Sequence, residues 1–149
     1  SPDWKLVYFD DRAVVYVKNI ARFQHIIARA AYEMIDPAIA GGTEIRAEDA
    51  PRWLAEAERA VAAAPGEWSP LQYKAKALMA LGRLDEAEGA TRALLELNPS
   101  AYFAWADLGF IDMLRNQPGE AERAFTECVR LRPDYSPCQE YLARLRERR

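Results

Sequence analysis

The chain has 149 residues and a formal net charge of −3, with 50% hydrophobic and 29% charged residues. That balance suits one folded domain and excludes a disordered chain, and the lack of a basic excess speaks against nucleic acid as a partner. No apolar run approaches the roughly 18 residues that a membrane helix requires, so no membrane span is expected within the chain.

The opening, Ser1-Pro2-Asp3-Trp4, carries neither an initiator Met nor a signal-peptide pattern, and reads as a segment of a longer protein. The runs Trp4-Lys5-Leu6-Val7-Tyr8-Phe9 and Ala13-Val14-Val15-Tyr16-Val17, separated by Asp10-Asp11-Arg12, predict a β-hairpin within residues 1–18. Both of its faces are apolar, and a lone hairpin is marginal in water. It should therefore pack on the helices or pair with further strands, and its free edge offers a route to a homo-oligomer. The acidic pairs Asp10-Asp11 and Glu48-Asp49 lack the spacing of a cation site and fit turn formation and helix capping.

Ile20, Phe23, Ile27, Ala30, Ala31 and Met34 recur at a period near 3.6 and predict a helix over about 19–35. His25, the only histidine, falls on it and is read as a packed or partly exposed helix residue, because a catalytic role would need a partner. Pro37, Gly41 and Gly42 then predict an inserted loop over 36–48, flexible at the glycines. A second helix follows from Asp49 to Ala64, with Trp53, Ala57, Ala60, Val61 and Ala64 on one face.

From there the chain repeats. Pro65, Pro99 and Pro133 are spaced by 34 residues, and the same offset joins Leu71 to Trp105, Ala75 to Gly109, Met79 to Met113 and Ala87 to Ala121. Each period reads as two helices. In the later one, Trp105, Leu108, Gly109 and Asp112 form one stripe, Asn116-Gln117-Pro118-Gly119 a break, and Ala121, Phe125, Cys128 and Val129 a second stripe. Small residues at 109 and 121 should let the two helices approach, with Trp105 and Phe125 filling the space around them. Ser69-Pro70-Leu71-Gln72 and Ser136-Pro137-Cys138-Gln139 read as capping boxes, and Ser100 as a further N-cap.

Trp105, Leu108, Gly109, Ala121, Phe125 and Pro133 resemble the tetratricopeptide repeat signature nearly position for position. The unit from Trp68 to Pro99 matches through Ala75, the run Leu81 to Ala87, and Pro99; it departs at Leu71, usually Trp, and Thr91, usually aromatic. Cys128 stands where a small residue is usual. The resemblance, over roughly 49–149, implies a mainly α protein, an α-solenoid of helical hairpins behind the β-hairpin. It divides the chain into a hairpin at 1–18 and a repeat domain at 19–149, comprising a divergent repeat 19–67, repeats 68–101 and 102–135, and a capping helix 136–149.

In that family the first helix of each pair lines a concave side that receives a protein or peptide partner. The residues placed there are Gln72, Lys76, Met79, Phe103, Phe110 and Met113, with Arg144 on the final helix. The family's best-known groove holds a peptide's terminal carboxylate with paired Lys and Asn; here Asp107 stands where Asn is needed and would repel an anionic end. Phe103, Phe110, Met79 and Met113 suggest an apolar groove, or else packing against the hairpin or a second copy.

A shorter stretch, Trp4 to Asp11 followed by Val15-Tyr16-Val17, is similar to the segment after the last membrane span of some bacterial polytopic glycosyltransferase-like proteins. It implies a soluble tail on the extracytoplasmic side. No zinc or phosphate-binding motif is present, and no metal or cofactor is expected. Cys128 and Cys138 could meet in an oxidising compartment, but buried free thiols are the reading preferred. Arg144, Arg146, Arg148 and Arg149 fit a solvated helix end that favours the helix dipole. The expected function is a non-catalytic protein–protein interaction scaffold, the alternative a structural or regulatory tail of a membrane glycosyltransferase-like enzyme.

Overall fold

The computed structural model describes residues 2–37 and 44–147. The expected loop glycines Gly41 and Gly42, and the basic residues Arg148 and Arg149, lie outside the described residues. Strands β1 (Trp4–Phe9) and β2 (Val14–Lys18) pair antiparallel, with a register shift between Leu6 and Tyr8. After one 3-10 turn at Ala21–Phe23 come α1 (Gln24–Ala30), α2 (Ala50–Ala63), α3 (Ser69–Ala80), α4 (Leu84–Leu97), α5 (Tyr102–Leu114), α6 (Pro118–Leu131) and α7 (Ser136–Glu147). From α2 onward each helix packs on the next, joined by short links, which gives a one-dimensional stack of helical hairpins.

The 34-residue period is structural. Just past the end of α3 stands Gly82, and just past that of α5 stands Asn116, both with positive φ, 69° and 58°. At each end the backbone closes with the two bonds of a Schellman motif: Arg83 N–H to Leu78 O and Gly82 N–H to Met79 O, then Gln117 N–H to Asp112 O and Asn116 N–H to Met113 O. Gly109 lets α5 and α6 close: a Cβ there would stand 2.7 Å from the ring of Phe125, which is wholly buried. Trp105 flanks the contact and donates its indole N–H to Pro99 O at 3.1 Å. Thr91, in place of an aromatic, is buried and donates its hydroxyl to Ala87 O at 2.8 Å. Between repeats Arg115 pairs with both Asp85 and Glu88.

The hairpin packs on the helices. Leu6 and Phe9 are buried, and the Phe9 ring meets Tyr32 and Tyr73 edge-on at 5.3 and 5.4 Å. Its acidic turn does two jobs. Asp10 accepts N–H bonds from Arg12 and Ala13 at 2.7 Å, which shapes the turn. Asp11 accepts those of Trp68 and Ser69 at 2.9 and 2.7 Å, which caps α3 from a distant part of the chain. The capping box expected at Ser69 does not form, because this carboxylate takes its place, and Ser100 does not cap α5. Asp49 makes no side-chain cap on α2; it pairs with Arg46 instead.

The helix expected over about 19–35 is cut to Ala21–Ala30, and its stripe is not the core: neither the 3-10 turn nor α1 buries a residue. Tyr32 and Ile35 are buried instead. Residues 31–35 leave the helix and are held by partners from elsewhere. Tyr32 N–H bonds to Leu6 O, the Glu56 carboxylate takes the N–H groups of Glu33, Met34 and Ile35 at 2.8–3.1 Å, and Arg59 donates to Ala31 O at 2.6 Å. These contacts give the backbone groups the partners that a further helical turn would otherwise have supplied.

Cys128 and Cys138 form a disulfide rather than free thiols. Both are wholly buried, and the bond ties α7 to α6.

Candidate functional site

α3 and α5 are the first helices of successive pairs, and their inner faces meet a recess of about 510 Å³. It is lined by Lys76, Met79 and Ala80 from α3, Asp107 and Phe110 from α5, and Glu44 and Ile45 from the approach to α2. Three of the residues expected on the concave side, Lys76, Met79 and Phe110, are thereby brought together.

The other expected residues extend from this centre without lining it. Phe110 stacks edge-on against Phe125 and Tyr141 at 5.4 and 4.7 Å, and Met113 packs in the same cluster. Arg144 lies over the Tyr141 ring, 5.5 Å from its centroid, and so reaches the site through Tyr141. Phe103 packs on Trp68 and Tyr102, both at 5.6 Å, and is committed to the contact between repeats. Gln72 is half-buried on α3, one turn before Lys76. His25 is exposed and lies on a separate cleft between α1 and α2, with Arg29 and Arg59.

Asp107 is the residue whose importance at the site could not be weighed from residue type alone. It keeps part of its surface open to the recess, yet packed protein surrounds it closely enough that burial pushes its carboxyl up to about 6; the Lys76 ammonium pulls the other way. Asp107 accepts no hydrogen bond and forms no ion pair among the described residues. Burial also raises Tyr135, assisted by the Asp107 charge nearby. The recess thus sets a half-buried apolar surface, Met79, Ala80 and Phe110, beside two acids and one base, an arrangement able to take a polar and an apolar group together. Among the described residues no group of three or more His, Cys, Asp or Glu could hold a metal ion, and no helix is long and apolar enough to cross a membrane.

This arrangement is a tetratricopeptide-type helical solenoid, with an N-terminal β-hairpin packed on its first helices. Solved structures bear out that fold. The first tetratricopeptide domain of human RPAP3 superposes with a TM-score of 0.61 at 16% identity, over 68% of this chain and 87% of that one. A MamA protein gives 0.60 at 17% identity, over 67% of this chain and 55% of that one. The Naa15/Naa10 complex bound to HypK gives 0.58 at 26% identity, but the match spans only 15% of that chain against 66% of this one. No protein-family profile matches the sequence, and no curated protein matches it. None of these neighbours bears on the hairpin's similarity to glycosyltransferase-like proteins.

Proposed function

We propose that the chain is a non-catalytic scaffold that holds a partner peptide or protein segment in the concave groove over α3 and α5. The observation that carries this is the recess itself, where Lys76, Met79, Asp107 and Phe110 converge from the first helices of two successive pairs. Two neighbours support the reading by analogy: one is an RPAP3 repeat domain bound to an HSP90 peptide, the other the Naa15 complex bound to HypK. Gln72, Met113 and Arg144 would extend the surface on either side of the centre, while Phe103 is held in the packing between repeats.

The test places a photo-crosslinking residue at Met79 in the groove, or at Thr126 on the solvent face of α6, in cells that make the protein. The groove position should capture a discrete partner that the Thr126 position does not, and Phe110→Glu should abolish it. Equal capture at both positions, or capture indifferent to Phe110→Glu, would overturn the assignment.

A second reading, that the chain is the extracytoplasmic tail of a membrane glycosyltransferase-like enzyme, is favoured by two observations. The buried disulfide suits an oxidising compartment. Val14, Val15 and Tyr16 on β2 and Trp4 on β1 are exposed, which leaves an apolar strand edge open to a neighbour or a second copy. Fusing a compartment-sensitive reporter to the protein in its own cells distinguishes this reading from a cytoplasmic one.

A further inference from the structure

The groove's polar chemistry is lopsided. Of its seven described lining residues two are acids, Glu44 and Asp107, and one is a base, Lys76. Lys76 does not pair with Asp107, and no other described residue does. A carboxylate that is closely surrounded by protein, aimed into a recess and left without a donor is incomplete, because folding has removed much of its water without supplying a replacement. Phe110 and Met79 sit beside it and supply apolar surface. Tyr135, the remaining titratable group near Asp107, adds no cation.

We infer that the groove's occupant is an extended peptide segment with a basic side chain, Lys or Arg, next to an apolar one. The basic group donates to Asp107, the apolar side chain lies on Met79 and Phe110, and the Lys76 ammonium takes a carbonyl oxygen of the peptide backbone. Glu44 adds to the field that draws the cation in. An acidic segment is disfavoured, since it would face two carboxylates for one ammonium. This rests on the groove being the binding surface, and it adds the chemistry of what binds there.

The experiment selects phage-displayed random decapeptides on the disulfide-bonded protein. It then titrates the synthetic winners against wild type, Asp107→Asn and Phe110→Glu, each checked for folding by circular dichroism. The inference expects winners enriched in Lys or Arg beside Leu, Ile, Phe or Met. Asp107→Asn should bind them about ten- to a hundredfold more weakly, the loss of one charge-assisted hydrogen bond. Binding to wild type should also weaken between pH 7 and pH 5, as protons compete for Asp107. Winners that Phe110→Glu rejects but Asp107→Asn retains would overturn this inference and leave the groove standing. No winners, or winners indifferent to Phe110→Glu, would overturn the groove itself and this inference with it.

Discussion

Asp107 makes the folded chain less stable at neutral pH than it would otherwise be. Its carboxyl is raised from 3.8 to about 6, chiefly by burial, so the folded state binds the proton more tightly than the unfolded state does. The sign follows from linkage: the cost of the charged form is absent below pH 3.8, grows as pH rises, and is complete above about 6. Asp107→Asn should therefore be more stable than wild type by about 1–2 kcal/mol at pH 7, a figure reduced from the full shift because solvent reaches the group through the groove. The gap should close by pH 4. Urea titrations of both proteins across that range check it, and a gap independent of pH would contradict it. Gly109 is the opposite case, a residue kept for packing. An added methyl would meet the Phe125 ring at 2.7 Å, so Gly109→Ala should lose about 1–3 kcal/mol. The loss should shrink in a Phe125→Leu background, where the ring is gone; thermal unfolding of the four proteins measures that coupling.

The N-terminus of α3 separates what local sequence can show from what it cannot. Ser69-Pro70-Leu71-Gln72 has the composition of a capping box, yet the cap comes from Asp11, 58 residues away. Asp11→Ala should thus cost about 1 kcal/mol and raise hydrogen exchange at Trp68 and Ser69, while Ser69→Ala changes little. The reverse ranking would restore the local box. The same cause shortened the helix expected at 19–35. Its apolar period was real, but Glu56 and Arg59 on α2 capture the backbone of residues 31–35. Such partners are invisible to a window of neighbouring residues. The helices from α2 to α7 were legible because their signals are local: apolar stripes, Pro and Gly at the breaks, and one interval seen twice. Gly109 and Ala121 even marked which helices would touch.

Along the stack, each helix packs chiefly on the next one in sequence, and α7 packs on α6. The Cys128–Cys138 bond closes a short loop there and ties α7 down. Replacing both with Ser, or reducing the protein, should cost about 2–3 kcal/mol and free α7 before the rest unfolds. Residue-resolved hydrogen exchange would show whether α7 opens first. The candidate site was partly legible at this scale: the repeat placed Lys76, Met79 and Phe110 on the inner wall, and they do share one recess. Phe103 shows the limit, because a residue on the correct face can still be taken up by packing, here against Trp68. Neither the pairing of the cysteines nor the missing donor at Asp107 follows from spacing, since each depends on how closely separate helices approach.

The central claim is that the wall formed by α3 and α5 grips another polypeptide, and an NMR titration of the labelled protein with a selected basic-apolar peptide tests it most directly. Shifts concentrated at Lys76, Met79, Asp107 and Phe110, with Glu122, Arg123 and Thr126 on the opposite face of α6 unmoved, are the predicted result. Shifts confined to that α6 face or to the β-hairpin would contradict it.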